Sequence, residues 1–222
     1  MSTTYSTAQS TLDAMRDGEL LARRRLTLGT HSPLFYDVPL EIVSGAGVIL
    51  TDAAGRQFLD AYNNVPHVGH AHPVVAEAIS EQLRKLVLNT RYLNERIVAY
   101  AEELLALFPS GLDRVSFTNS GSEANELALR MARQHTGNTG VLVSDFSYHG
   151  NTTSLAVLTT GLQTFEPLGD HVRALRVPDV EGLNPHDESV VLKQALKNAD
   201  EAINSLIAAG HGVSALLFDP LF

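Results

Sequence analysis

The chain has no cysteine, little positive charge and no long apolar run. Without cysteine it can form neither a disulfide framework nor a thiolate metal site. Its 16 Lys and Arg residues stand against 25 Asp and Glu, and the net charge of -9 disfavours nucleic acid or an anionic membrane as the main partner. The stretch from Met1 to Ser10 has no apolar core of the signal-peptide kind, and no run is long enough to span a bilayer. We therefore expect a cytoplasmic protein with no nucleic-acid or membrane partner.

Alternating strand and helix patterns define the fold class. The runs Gly140 to Asp145 and Ser214 to Asp219 are nearly all apolar, as in strands covered on both faces. Helical periodicity surrounds them, which predicts βαβ crossovers, a parallel sheet and hence an α/β fold. Four helices are predicted: Leu12 to Leu26, Pro73 to Val87, Asn94 to Phe108, and Ser189 to Ala209, the last with a cap at or beside Asp187. A β-hairpin is predicted from Gly47 to Thr51 and Gln57 to Asp60, and a loop from Thr160 to Pro185.

A strand-to-helix junction at residues 118–125 has the composition of a phosphate site. Arg114 to Thr118 is predicted to be a short strand, and the helix after it places Ala124, Leu127, Ala128 and Met131 on one apolar face. Ser120 and Glu123 have the spacing of a capping box. Gly121 leaves room for close approach, Ser122 offers a hydroxyl donor, and the helix N-terminus favours an anion. The alternative is ordinary capping that binds nothing.

Residues that follow the other two strands are expected at the same edge of the sheet, because ligands of such sheets bind at the carboxyl ends of the strands. Tyr148 and His149 follow the first of these strands, and Asp219 ends the second. An aromatic ring there can stack on a flat cofactor. The alternatives are simple loop packing for Tyr148 and His149 and a turn cap for Asp219.

The loop from Ala61 to Pro73 carries three histidines, His67, His70 and His72. Their spacing matches neither a helical pair nor a zinc finger, and no fourth ligand lies nearby, so no metal site is predicted. We expect hydrogen-bonded histidines in an ordered loop that lines a pocket through Asn63 and Asn64.

Three of these segments together resemble class III pyridoxal-phosphate (PLP) aminotransferases. They are Ser120 to Asn125, Tyr148 to Gly150, and the loop Asn63 to Pro73; the hairpin matches as well. The loop is most similar to the branch that contains alanine-glyoxylate aminotransferase-like proteins and phospholyases acting on phosphorylated amino alcohols. The resemblance implies PLP-dependent transferase fold type I, incomplete here, with residues 1–72 in the small domain and 73–222 forming the first part of the large, mostly parallel-sheet domain.

The resemblance also implies roles for individual residues. Gly121 and Ser122 would hold the phosphate of pyridoxal 5'-phosphate, Tyr148 would stack on its ring, and His149 would support it. Asp219 falls where most relatives have Glu-Pro and is assigned to the cofactor side as well. Asn63 and Asn64 would lie on the substrate side. Family members are homodimers with sites at the subunit interface, so a homodimer is expected.

PLP chemistry needs a lysine that forms a Schiff base and an acid paired with the pyridine nitrogen. In the family both lie beyond the strand that ends at Asp219, and this chain stops at Phe222. Its three lysines, Lys85, Lys193 and Lys197, fall in amphipathic helices and suit neither role. We expect an N-terminal half that is inactive alone.

The complete enzyme is expected to be a transaminase, which passes an amino group from an amine or amino acid to a keto acid. Two alternatives stay open. One is an ammonia-releasing phospholyase acting on a phosphorylated amino alcohol, and the other is a non-catalytic module that binds a cofactor or a partner. The P-loop and the G-x-G-x-x-G fingerprint are absent, so an ordinary nucleotide binder is disfavoured.

Overall fold

The computed structural model describes residues 18–31, 34, 36–63, 65–162, 166–179 and 181–219. Its internal contacts divide the chain into two units, with the boundary between Glu95 and Arg96. The domain boundary expected at residues 72 and 73 stays a prediction. No helix in these described ranges has the length and apolar character needed to cross a membrane.

The first unit contains a helix, a small antiparallel sheet and a second helix. Residues 18–28 form α1, and the part of its predicted span before residue 18 lies outside the described residues. The sheet has the order β1-β2-β3, built from Ile42–Ala46, Ile49–Asp52 and Gln57–Leu59. Strands β2 and β3 are the predicted hairpin, with Leu50 opposite Phe58. Strand β1 was not predicted.

Helix α2, Pro73–Lys85, begins with the expected proline in its first turn. Its apolar residues Val74, Ile79 and Leu83 are 69%, 56% and 64% exposed. The periodicity therefore predicted the helix correctly, while none of its described residues is buried. Helix α3, Glu95–Leu105, begins at the boundary between the units.

The second unit is built on a parallel sheet. Along the chain it contains α4 (Gly121–Thr136), β4 (Gly140–Ser144), α5 (Thr153–Ala156), β5 (Val172–Leu175), α6 (Pro185–Ala208) and β6 (Val213–Leu217). The strand order is β5-β4-β6, with both pairs parallel, which confirms the predicted sheet. All five residues of the central strand β4 are buried. The core consists of Leu129, Val141, Val143, Leu155, Leu158 and Val172.

The predicted strand from Arg114 to Thr118 was wrong. These residues form no regular strand, and all but Val115 are exposed. A strand needs a backbone partner for its N–H and C=O groups, and no described segment pairs with this one. The segment from Arg114 to Thr118 has the composition of a strand, but it pairs with no strand of the described sheet.

The predicted buried face of α4 was also wrong. Of the expected stripe, Ala124, Ala128 and Met131 are exposed and only Leu127 is partly covered, while Leu129 is the buried residue of the helix. The covered side carries Ser122, Asn125, Glu126 and Leu129, so its N-terminal half is polar. Both the expected stripe and the covered side have helical spacing, so only tertiary contacts determine which of them is buried.

The predicted loop from Thr160 to Pro185 contains strand β5, which pairs with β4 from Val141 opposite Val172 to Ser144 opposite Leu175. Helix α6 starts at Pro185, four residues before the predicted position. Its cap is Asn184, whose side-chain oxygen accepts hydrogen bonds from the backbone N–H groups of His186 and Asp187. Asp187 instead accepts a hydrogen bond from the Asn184 amide.

Candidate functional site

The N-terminus of α4 is capped by its own residues and is unobstructed at Gly121. Ser120 is the N-cap, and its hydroxyl oxygen accepts a hydrogen bond from Glu123 N at 3.1 Å. The Glu123 carboxylate reaches one residue further back than a standard capping box and accepts from Asn119 N at 2.7 Å. A Cβ added to Gly121 would meet no atom within 4 Å. The positive end of the helix therefore faces open space at Gly121.

Three polar side chains on the covered face of α4 bind the loop 149–152 that follows β4. The Ser122 hydroxyl accepts from Asn151 N and donates to Asn151 Oδ1, both at 3.2 Å. Asn125 Nδ2 donates to the carbonyl oxygen of His149 at 2.8 Å, and the Thr152 hydroxyl donates to Glu126. The loop is thus attached to the helix at three successive points.

Gly150 allows this close approach. Its φ is +143°, and a Cβ there would lie 2.5 Å from Leu155 Cδ1 and 2.6 Å from Ser122 Oγ. A larger residue therefore cannot occupy the position without moving the loop away from Ser122. The glycine is what brings the segment of Tyr148 and His149 to the helix N-terminus.

His149 is buried, with 7% of its surface exposed, while the neighbouring Tyr148 is 54% exposed. The Nε2 atom of His149 is buried and has no hydrogen-bond partner among the described residues. Burial lowers the pKa of the His149 imidazole, and the negative charge of Asp219 opposes this shift in part. Asp219 lies beyond the end of β6, where its backbone N–H donates to Ser144 Oγ at 3.3 Å. The structure thus brings Ser122, His149 and Asp219 to one edge of the sheet.

These residues fit a phosphorylated aromatic cofactor. A helix N-terminus with an open glycine suits a phosphate, and the Ser122 hydroxyl can donate to it by releasing Asn151 Oδ1. The exposed Tyr148 offers a ring for stacking, and the unpaired Nε2 of His149 offers a polar atom without a protein partner. The structure does not itself assign these roles, which stay predictions.

Asn63 lies in the first unit, at the end of β3, and its contacts are local. Its side-chain Nδ2 donates to both carboxylate oxygens of Asp60 at 3.1 Å. His70 Nε2 lies 2.6 Å from Asp60 Oδ2, so this histidine is hydrogen-bonded as expected, whereas Nδ1 of His72 is buried without a hydrogen-bond partner among the described residues. Asn64 lies outside the described residues. Within the described part of the chain, no group of three or more metal-ligating side chains is found.

The three lysines are exposed on helices. Lys85 ends α2, and Lys193 and Lys197 lie on the open side of α6, where Lys197 Nζ is 3.8 Å from Glu201. An amine that must react with a carbonyl needs a lowered pKa in a dry or cationic setting. None of the three lies in such a setting.

Sequence reasoning missed the polar residues that shape the site. Asn125 and Glu126 lie three and four positions after Ser122, so they share its helix face. Polar residues at that spacing are the signal that could have identified them. The close approach of Gly150 to Ser122 was missed because it is made across the fold, whereas the bonds of Asp60 to Tyr62 and Asn63 are local and follow the pattern of an Asp that accepts from the next backbone N–H groups.

The chain belongs to the class III aminotransferase family. The family model, Aminotransferase class-III, matches residues 34–221. An ethanolamine-phosphate phospho-lyase homolog 1 of Caenorhabditis elegans is 40% identical over 179 residues, which are 78% of this chain and 38% of that protein. An alanine-glyoxylate aminotransferase 2-like protein of Drosophila melanogaster is 35% identical over 216 residues, 91% of this chain and 43% of that protein. The predicted family and branch are confirmed.

Solved structures give the same fold. A phospholyase from Arthrobacter in complex with phosphoethanolamine is 69% identical, with a TM-score of 0.88 over 91% of this chain and 48% of that one. An (S)-enantioselective omega-transaminase from Thermomicrobium roseum is 26% identical, with a TM-score of 0.70 over 90% of this chain and 48% of that one. Fold type I of the PLP-dependent transferases is confirmed, and the chain spans less than half the length of these relatives.

Proposed function

We propose that this chain is the cofactor-phosphate-binding part of a PLP-dependent transaminase that moves an amino group from an amine or amino acid to a keto acid. The observation that carries the proposal is the junction of Ser122, His149 and Asp219 at an open helix N-terminus, in a chain whose family match covers residues 34–221. Aminotransferases are the named relatives in several organisms.

Each residue of the proposed site has one task. The N–H groups of the first turn of α4 at Gly121 bind the cofactor phosphate, together with the Ser122 hydroxyl, which turns its proton from Asn151 Oδ1 to the phosphate. Tyr148 covers the pyridine ring and excludes water from that face. His149 Nε2 and the Asp219 carboxylate hold the orientation of the ring. When bound, PLP acts as the electron sink of the reaction.

The remaining parts of the proposal concern the assembly. Asn63 and Asn64 lie on the substrate side, and the enzyme is a cytoplasmic homodimer. Residues 1–72 belong to its small domain and residues 73–222 to its large domain. Because Lys85, Lys193 and Lys197 are all exposed, the 222 residues are expected to be inactive alone.

A second candidate is favoured by one specific observation. The 69% identity to the Arthrobacter phospholyase is far above the 20–27% identity to transaminase structures of the same fold. In this alternative the enzyme eliminates phosphate from a phosphorylated amino alcohol. For phosphoethanolamine, the C–O bond to phosphate breaks, water hydrolyses the C–N bond, and the products are acetaldehyde, ammonia and phosphate.

The two reactions differ in what they need and release. The longer enzyme containing this chain is incubated with PLP and phosphoethanolamine, with and without a keto acid, and the 222-residue chain serves as a control. Phosphate and ammonia released without a keto acid establish the phospholyase. Conversion of the keto acid to an amino acid, with the phosphate ester intact, establishes the transaminase. If a panel of amines and amino acids also gives neither reaction, both activities are refuted and a non-catalytic binding module remains.

Cofactor binding by the 222-residue chain is tested separately. The chain is titrated with PLP, reduced with borohydride and mapped by peptide mass spectrometry. Weak labelling scattered over Lys85, Lys193 and Lys197 is expected. Stoichiometric, saturable labelling of one of them would show that this chain carries its own reactive lysine.

A further inference from the structure

The Asp60 carboxylate is the centre of a small hydrogen-bond cluster at the end of β3. Its side chain is only 5% exposed. Oδ1 accepts from Tyr62 N at 3.1 Å and from Asn63 N at 2.9 Å. Asn63 Nδ2 donates to both oxygens, and His70 Nε2 donates to Oδ2. The bonds from Asn63 N and His70 hold the pKa of Asp60 well below its usual range, so the group is a carboxylate at neutral pH.

This carboxylate determines which end of the Asn63 amide faces away from it. An ionised carboxylate has acceptors only, whereas an amide side chain has a donor end and an acceptor end. The NH₂ group of Asn63 must therefore point toward Asp60. What Asn63 offers to any other molecule is its carbonyl oxygen Oδ1, which is a hydrogen-bond acceptor.

His70 keeps the cluster in place. Its backbone forms a two-way bridge with Gly47, with His70 N donating to Gly47 O at 2.8 Å and Gly47 N to His70 O at 3.1 Å. A Cβ at Gly69 would lie 2.9 Å from Gly47 Cα, so the loop lies directly against the hairpin. The imidazole that binds Asp60 is thus fixed by backbone contacts on the sheet.

Asn63 also lines a cavity of about 780 Å³ in the first unit. Its walls are mainly apolar and aromatic, with Tyr36, Phe58 and Tyr62 among them. The described residues that line it include no lysine or arginine. An anionic group there would have no cationic partner among the described lining residues, whereas a donor group would meet the Asn63 acceptor beside apolar and aromatic side chains.

We infer that Asn63 is a specificity-determining residue that accepts a hydrogen bond from an ammonium or hydroxyl group of the substrate, and that Asp60 is the positioning residue that fixes its amide in this orientation. The inference rests on the proposed function, which puts Asn63 on the substrate side. It excludes Asn63 as a ligand of a substrate carboxylate or phosphate.

The test is Asp60→Asn, which keeps the shape but replaces one oxygen by an NH₂ group. The new amide can still accept from Tyr62 N and Asn63 N through Oδ1. Its NH₂ would replace Oδ2 and face both the NH₂ of Asn63 and the Nε2–H of His70, so the Asn63 amide turns over and presents its donor end, and the His70 imidazole changes tautomer to accept through Nε2. Asp52→Asn is the matched control, because Asp52 is 3% exposed and accepts from Ala54 N and Arg56 N in the same hairpin.

The first readout is independent of activity. With Asn-selective ¹⁵N labelling, and Asn63→Ala to identify the signal, the Asn63 NH₂ protons should be protected from solvent exchange in the wild type and in Asp52→Asn. Their exchange should become about tenfold faster in Asp60→Asn, because the NH₂ group leaves its two acceptors. Rapid exchange in the wild type, or unchanged exchange in Asp60→Asn, would overturn the inference.

The second readout is kinetic and uses the full enzyme with PLP. Asp60→Asn should raise KM for the amine substrate about tenfold and change kcat by less than about twofold, since ground-state and transition-state binding are lost equally. Asp52→Asn should change neither. An unchanged KM despite the faster exchange would refute the substrate contact and leave the proposed function intact. If the wild type acts on no amine, the proposed function fails while the exchange result still tests the orientation.

Discussion

Gly150→Ala should destabilise the second unit strongly, because the methyl group has no room. It would lie 2.5 Å from Leu155 Cδ1, in a side chain that is 0% exposed, and 2.6 Å from Ser122 Oγ. Relieving this overlap costs about 1–3 kcal/mol in a packed interior. The φ of +143° adds about 1–3 kcal/mol for a residue with a side chain. The expected loss is about 3 kcal/mol of unfolding free energy.

The assay is urea denaturation of the cofactor-free protein followed by circular dichroism, with Gly121→Ala as the control. The control adds the same methyl group in the first turn of α4, where nothing lies within 4 Å and φ is not positive. It should leave the unfolding free energy within about 0.5 kcal/mol of the wild type. A loss below about 1 kcal/mol for Gly150→Ala would refute the reasoning, because the loop would then have moved without cost.

Three further predictions concern the proposed cofactor site and the cap of α6. Gly121→Ala should raise the Kd for PLP about tenfold in an absorbance titration, because its methyl group occupies the space proposed for the phosphate. The unfolding free energy of the cofactor-free protein should fall as pH drops below about 6.5, because unfolded His149 and His171 bind protons there and the folded ones, whose pKa values are lowered mainly by burial, resist it; His149→Gln should reduce this dependence in urea denaturation at several pH values and leave the part due to His171. Asn184→Ala should cost about 1 kcal/mol in the same assay by removing the cap of α6, and an unchanged midpoint would contradict that role.

The central strand β4 was predictable from sequence because burial on both faces leaves a clear pattern. Val141, Leu142 and Val143 form an unbroken apolar run, and all three are buried. The apolar run from Ser214 also located β6, but the expected burial on both faces was wrong there: β6 is an edge strand of the described sheet, none of its residues is buried, and Leu216 is 58% exposed. The polar segment between them obscured β5, where Arg173 interrupts a four-residue strand between glycine and proline residues.

Local sequence could not determine which surfaces are covered. The stripe containing Ala124 and Met131 and the face containing Ser122 and Leu129 both have helical spacing, and the structure covers the second. Similarly, Val115 and Phe117 favour a strand, yet strand formation depends on a partner elsewhere in space. These outcomes depend on tertiary contacts, which a local pattern does not contain.

The parts of the candidate site that depend only on neighbouring residues, such as a helix cap, were predictable from the sequence. Ser120 as an N-cap and Gly121 at a helix start follow from spacing alone. The contact between Asn125 and the His149 carbonyl, like the pair of Ser122 and Asn151, joins residues more than twenty positions apart. Only the folded chain brings such groups together.

The three attachments between α4 and the loop 149–152 have a thermodynamic consequence for ligand binding. Because Ser122, Asn125 and Glu126 already hold the loop, the backbone around His149 does not have to be ordered when a ligand arrives. Binding then costs little conformational entropy, and its free energy comes from contacts with a preorganised surface. The loop and the helix N-terminus would respond to a ligand as one rigid element.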